Sequence, residues 1–282
     1  MNKHMTIKPG ALPAVAALLM SLCALQPVLA QTASSVTATD TASSSAATAT
    51  STVGPASGAV EAATGNSARA ADALPPIEVR YAVSWGGLGV GKIDVALKPD
   101  VPGGCYAYTA ISHPTALARS LYGAPNESSQ FCVKDGRVRS KHFNSLLPGD
   151  EKQSYSLNFD WDKHTATDEN GLTRSIPPDA VDSFALQQAV RLWVSAHAKD
   201  AQPPVAEFDM VDRKNLTHYQ FKLVGHESVE TPAGTFDALK MERIDNPNKE
   251  GHFWLAAERD YMPVKIETRS GNKPAVTMLL SK

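Results

Sequence analysis

The sequence predicts a mainly β protein: a strongly curved antiparallel sheet or incomplete β-barrel, with one packed α-helix at about residues 178–198. Three observations carry this. Apolar and polar residues alternate with period two through most of residues 77–282. Short turn-forming sequences join the runs, which makes neighbouring strands antiparallel. About a dozen such strands are too many for one flat sheet, so the sheet has to curl or close.

The elements follow in order. Ile77, Val79, Tyr81 and Val83 point one way and Glu78, Arg80 and Ser84 the other. Gly86, Gly87, Gly89 and Gly91 then turn the chain into Ile93, Val95 and Leu97, a hairpin pattern. Residues 106–111 read as the next strand, and residues 114–122 as a short helix or a turn. Residues 130–134 and 137–147 flank Asp135-Gly136, a strong hairpin dipeptide, and residues 154–161 and 163–168 form another pair. Residues 178–197 break the alternation. There Val181, Phe184, Ala185, Ala189, Leu192, Trp193 and Ala196 recur at helical spacing. Leu186, Val190 and Val194 widen that stripe beyond what a surface helix needs, so a helix about 30 Å long is expected to be buried against the sheet. Strands resume at 205–211, 217–224, 226–230, 236–243, 252–256, 264–268 and 275–280. Thr231-Pro232-Ala233-Gly234 and Ser270-Gly271-Asn272 supply the plainest turns.

Two regions precede this domain. Lys3 and Lys8, the apolar run at 11–25, and Pro27-Val28-Leu29-Ala30 before Gln31 read as a signal peptide cleaved after Ala30. The run is shorter than the roughly 20 residues that span a bilayer, and Leu22 before Cys23 fits a lipoprotein site poorly. The expected destination is the periplasm. Residues 31–76 are mostly Ala, Ser and Thr, with no aromatic side chain, and read as a disordered linker. Residues 77–282 are then a single β-rich domain.

The chain's 27 basic and 29 acidic residues lose only Lys3 and Lys8 with the signal, which leaves a small negative charge. Such a chain is a poor nonspecific partner for nucleic acid or anionic lipid. Cys105 and Cys132 remain after processing, and an even pair in an oxidising compartment points to a disulfide, contributing about 3 kcal/mol in the chain-entropy model. Two buried thiols that never meet are the alternative.

Four stretches carry a resemblance. They are Tyr81-x-Val83-Ser84-Trp85-x-Gly87, Asp182-Ser183-Phe184-Ala185-Leu186, the run from Gly225 and His226 through Glu230-Thr231-Pro232-Ala233-Gly234 to Lys240, and Phe253-Trp254-Leu255-Ala256 followed by Met262-Pro263-Val264-Lys265-Ile266-Glu267. In that order they resemble the domain-of-unknown-function family 3108, exported bacterial proteins with no established activity. The resemblance covers nearly all of residues 77–282. By analogy it implies a fold like the open, helix-plugged β-barrels that shuttle lipoproteins. It supplies no catalytic residues.

The residues themselves argue for structure before chemistry. His226-Glu227-Ser228-Val229-Glu230 lacks the second histidine of a zinc helix, and His218, His226 and His252 are better explained as scattered surface residues. No nucleophile elbow is present, and the glycines at 87–91 sit between strands rather than before a helix. Asp160 and Asp162 flank Trp161 and read as a solvated hairpin end rather than a carboxylate pair in a cleft. No metal and no cofactor are expected.

The leading expectation is an exported, non-enzymatic envelope protein that holds a lipid, another apolar ligand or a partner protein's segment in its curved sheet. Candidate cavity residues are Phe184, Leu186, Trp193, Phe221, Phe236 and Trp254. The alternatives are a structural scaffold of the envelope, with a solid core and an exposed apolar patch, and an enzyme acting on envelope polysaccharide.

Overall fold

The structure, a computed structural model, describes residues 74–101 and 104–282. The expected signal peptide, and the expected linker up to residue 73, lie outside the described residues. Within them the strands are β1 (Ile77–Trp85), β2 (Leu88–Val101), β3 (Cys105–Pro114), β4 (Asn126–Lys134), β5 (Arg137–Leu146), β6 (Tyr155–Asp160), β7 (Thr165–Asp168) and β8 (Thr173–Ser175). After the helical segment come β9 (Ala206–Val211), β10 (Leu216–Thr231), β11 (Gly234–Arg243), β12 (Lys249–Ala256), β13 (Met262–Ser270) and β14 (Val276–Leu280). Two α-helices, α1 (Ala116–Tyr122) and α2 (Ser183–His197), and a 3-10 turn at Ala257–Arg259 complete the order.

All fourteen strands join one antiparallel sheet in the order β8-β7-β6-β5-β4-β3-β2-β1-β14-β13-β12-β11-β10-β9. The first and last strands meet in its middle, where Tyr81 lies opposite both Ile93 and Leu280. No strand ladder closes the sheet. Its edges are instead stitched at points. Val181 donates its N–H to Asp209 O at 2.9 Å and accepts from Val211 N at 2.8 Å, a single parallel bridge from the chain after β8 to β9. The Arg174 guanidinium of β8 reaches the carbonyls of Asp212 and Arg213 just beyond β9. Because every connection reverses direction, the turns divide between two rims. One rim holds the β1–β2 turn, α1, and the β5–β6, β7–β8, β9–β10, β11–β12 and β13–β14 connections; the other holds the rest.

Inward residues alternate as the sequence predicts: Ile77, Val79, Tyr81 and Val83 are buried on β1, and Ile93, Val95 and Leu97 on β2. The concave side is filled by α2, which packs against β4, β5 and β9. Its cap explains its start. The Asp182 carboxylate is fully buried and accepts from Phe184 N at 2.9 Å and Ala185 N at 3.0 Å. Ser129 Oγ donates to the same carboxylate at 2.8 Å, and Ser140 Oγ accepts from Asp182 N at 2.8 Å. The helix therefore begins at Ser183, not near 178. Residues 178–181 are spent on a turn and on the bridge to β9, so the helix is shorter than the sequence indicates.

Other differences have equally local causes. Residues 114–122, which the sequence leaves as helix or turn, form α1, capped by Thr115 Oγ1 accepting from Ala118 N. The expected strands at 217–224 and 226–230 are one continuous strand, β10, with a register shift between Leu223 and Gly225. Gly225 absorbs the shift at φ 150°, which a side chain would resist.

Cys105 and Cys132 face each other directly across β3 and β4 and are disulfide-bonded, 27 residues apart in sequence. Replacing both by Ala should lower the unfolding free energy by about 3 kcal/mol, read from urea unfolding under non-reducing conditions. Trp193, by contrast, is only partly buried and has its ring 4.7 Å from that of His197 near the end of α2. Trp193→Ala is therefore expected to cost about 1–2 kcal/mol, less than the 3–5 of a fully buried tryptophan.

Candidate functional site

Among the described residues two concavities bear on the possible chemistry: the inside of the sheet around α2, and a groove on its outer face. The interior is not a dry apolar core. Gln187, Gln188 and Arg191 of α2 are buried, as are Tyr81 and Tyr108 of the wall. Tyr108 Oη donates to Gln187 Oε1 at 3.1 Å, and Tyr81 Oη donates to Pro263 O at 2.7 Å. Arg191 donates to Gln188 Oε1 at 2.7 Å and to Asp260 O at 3.1 Å, tying the helix to the turn after the 3-10 segment. Burial pushes both tyrosines well above their ordinary range, so they remain neutral donors.

Glu127 is the unusual group inside. It sits on β4 opposite Ser145, whose Oγ donates to it at 3.0 Å, and burial pushes its carboxyl up to about 8. No cation is paired with it among the described residues, so the Ser145 hydroxyl offsets only part of the loss of water and the neutral acid is favoured.

The sequence-selected residues divide among these surroundings. Phe184 is buried and stacks on Tyr108, centroids 4.6 Å apart, with Phe143 at 5.8 Å. Leu186 is fully buried on the same helix. Phe221 sits among Tyr219, Phe208 and Phe253 at 5.9, 6.2 and 5.8 Å. Phe236 lies beneath the Arg259 guanidinium at 5.6 Å. Phe184, Leu186 and Phe221 thus belong to packed clusters. Between α2 and β11–β13, Gln187, Val190, Met241, Phe253, Leu255, Pro263 and Ile266 enclose a space of only about 10 Å³. That is the size of one water molecule, and the Gln187 amide nitrogen, which has no partner, borders it.

Trp254 lies on the other face. It neighbours Phe253 in β12, so the alternation of the strand sends the two rings to opposite sides. Its indole N–H donates to Glu227 Oε2 at 2.6 Å. Lys265 Nζ stands 4.1 Å and Lys240 Nζ 5.3 Å from the ring centroid, cation–π distances. Lys240 also pairs with Glu227 at 3.0 Å. The indole hydrogen bond and then that lysine hold the Glu227 carboxyl below its usual value. Around this cluster lies a groove of about 290 Å³, bounded by Glu227, Ser228, Val229 and Glu230 of β10 and by Trp254, Lys265, Thr277 and Leu279. Its geometry follows from the long β10–β11 hairpin. Thr231-Pro232-Ala233-Gly234 folds back so that Ala233 N donates to Leu280 O at 3.2 Å, which brings β10 over β13 and β14. Among the described residues β10 pairs beyond Phe221 with β11 alone, because β9 covers only Leu216–Phe221.

The remaining candidates are unremarkable in place. His218, His226 and His252 each sit beside a separate carboxylate, of Asp209, Asp237 and Glu242, on different parts of the sheet. Asp160 pairs with Lys163 at 2.6 Å at the β6–β7 turn, and Asp162 is exposed there. Among the described residues no helix is long and apolar enough to cross a membrane. Sequence reading missed the buried polar groups. One signal was present: an apolar stripe too wide for a surface helix buries whatever polar residues lie inside it, here Gln187, Gln188 and Arg191.

Comparison with known proteins gives a family without a described activity. Among solved structures, a β-barrel-like protein of domain of unknown function 1849 from Brucella abortus is similar at 10% identity, over 73% of this chain and 96% of that one, with a TM-score of 0.48. A candidate lipoprotein from Parabacteroides distasonis is similar at 14% identity, over 74% and 96%, with a TM-score of 0.31. No curated protein matches. The profile of one family matches residues 80–281, nearly the whole sheet with its helix, and the chain belongs to that family, the proteins of unknown function DUF3108.

Proposed function

We propose that this protein is an exported, non-enzymatic component of the cell envelope that holds an extended segment of a partner protein in the groove beside Trp254. The sequence supports export, through the signal peptide read at residues 1–30 with cleavage after Ala30 and a periplasmic destination, and a disulfide suits an oxidising compartment. The observation that carries the reading is the groove itself, about 290 Å³, running beside a stretch of β10 that has no strand on its second edge. An added strand can take its main-chain hydrogen bonds from such an edge, while Trp254, Val229 and Leu279 receive alternate apolar side chains. The charged rim of Glu227, Glu230 and Lys265 would set register. The apolar-ligand reading is less well supported: the space between α2 and β11–β13 has room for one water and not for a lipid, which needs a few hundred Å³.

The test is site-specific photo-crosslinking in the intact cell from Ser228 and Thr277, on the two walls of the groove, with exposed Lys98 on β2 as control. The expected result is the same polypeptide adduct from 228 and 277 and none from 98. Equal labelling from all three positions would remove the groove as the site. A stoichiometric lipid in native mass spectra would return the function to the sheet interior.

A further inference from the structure

The exposed apolar side chains are not spread over the molecule. Among the described residues eleven large hydrophobic side chains are exposed, and nine stand within four residues of a connection at one rim. Only Val205 and Val224 lie elsewhere. The rim that carries α1 presents Trp85 and Leu88 at the β1–β2 turn, Leu117 and Leu121 on the helix, and Leu172 and Leu216 beside the β7–β8 and β9–β10 turns. Leu117 and Leu121 are one helical turn apart, 64% and 55% exposed, while Ala118 between them is buried and anchors α1. The opposite rim is built from polar turns such as Asp135-Gly136 and Asp162-Lys163.

These connections are tied into one surface. Thr115 N donates to Val90 O at 2.8 Å, seating α1 beside the β1–β2 turn. Arg213 of the β9–β10 turn donates to Lys152 O at 2.9 Å and to Glu169 at 2.6 Å, joining the β5–β6, β7–β8 and β9–β10 connections. The charge on this surface departs from that of the chain, whose net value is −2. Lys92, Arg119, Lys152, Lys214 and Lys273 are exposed on or beside it and take part in no ion pair among the described residues. Of its acids, Glu169 pairs with Arg213 and Asp245 with Arg243 at 2.5 Å, while the buried Asp168 and Asp212 are held by backbone N–H groups of their own turns and keep their charge. Asp150, which accepts from the neutral Gln153 amide, and Glu151 also keep their charge, so five free cations stand against four such acids, two of them buried.

We infer that this rim is a membrane-contact surface that seats the barrel end-on against an anionic lipid surface. Leucines and a tryptophan ringed by unpaired cations match the boundary between headgroups and acyl chains, where apolar side chains leave water and each nearby lysine or arginine gains on the order of 1 kcal/mol from anionic lipid. A protein partner of comparable apolarity would not call for the surplus of positive charge. The small negative charge of the whole chain argues against broad electrostatic adhesion, and the segregation of charge and apolar surface on one rim removes that objection.

The test is co-sedimentation of the full chain with vesicles of phosphatidylcholine, with and without phosphatidylglycerol. Binding to the anionic vesicles that weakens with added salt is expected. The double substitution Leu117→Glu/Leu121→Glu should lower the partition by about tenfold or more, with an unchanged melting temperature because both side chains are exposed. Val224→Glu, on the outer wall, should leave the partition unchanged. All three proteins share residues 1–73, so differences between them report the rim and not the N-terminal apolar run. No binding by the parent chain to anionic vesicles, or equal loss from both substitutions, would overturn the inference.

Discussion

Asp182→Ala is expected to lower the unfolding free energy by about 4 kcal/mol. The side chain is 0% exposed and does three things at once. It caps α2 through Phe184 N and Ala185 N, satisfies Ser129 Oγ, and keeps the chain in the turn that lets Val181 bridge to β9. A cap alone is worth about 1 kcal/mol. Here its removal also leaves two helix N–H groups and a hydroxyl buried without an acceptor, each costing about 1–3 kcal/mol. The bridge at Val181 joins the two edges of an open sheet, so loosening it should free β8 and β9 together. Amide hydrogen exchange would show this as faster exchange in β9 and the first turn of α2, with the β1–β2–β14 centre little changed. Asp182→Asn retains an acceptor for the helix and should recover more than half of the loss. A cost below about 1 kcal/mol for the alanine variant would mean that water replaces the carboxylate and that the cap does not hold the edges.

The sheet was legible because alternation is a local property. Val79, Tyr81 and Val83 announce their own strand, and Asp135-Gly136 its own turn, whatever the rest of the chain does. The order of strands was not, since adjacency of β1 to β14 depends on residues as far apart as Tyr81 and Leu280, and no local pattern encodes it. The start of α2 was misplaced for a related reason: residues 178–181 have helical composition, but the pull of a backbone bridge to β9 outweighs propensity. Of the residues the sequence offers as cavity candidates, Phe184, Leu186 and Phe221 are buried in packed clusters. Trp254 shares their apolarity yet lies on the opposite side of the sheet from Phe253, buried against Glu227, Lys240 and Lys265, because period two in β12 fixes sides only relative to Phe253, not to the core. Glu127 gave no signal at all. Its neighbours Ser128 and Ser129 read as a polar stretch, and only the closure of α2 over β4 turns that stretch inward.

Glu127 carries the second large effect, and its sign follows from linkage. In the unfolded chain its carboxyl loses a proton near 4.5; in the folded protein it does so at about 8. Between those values the folded state holds the extra proton, so stability falls as pH rises through the window, and it is flat below and above it. The full conversion of that shift overstates the effect, because Glu127 keeps some contact with solvent; a loss of roughly 3 kcal/mol between pH 4.5 and 8 is expected. Glu127→Gln isolates this contribution. The amide oxygen can still accept from Ser145 Oγ, but nothing ionises, so the variant should match the parent near pH 4.5 and exceed it by roughly 3 kcal/mol at pH 8. The comparison has to be made between the two proteins and not from the parent's profile alone. Burial also raises the Asp182 carboxyl, and its effect on stability has the same sign. Tyr108 and Tyr155, which feel the Glu127 charge, stay neutral throughout this range and leave the difference intact. Urea unfolding of both proteins at pH 5 and pH 8 decides it. Parallel pH profiles would show that Glu127 is as well solvated in the folded protein as in the unfolded chain, and that α2 and β4 part more readily than their packing implies.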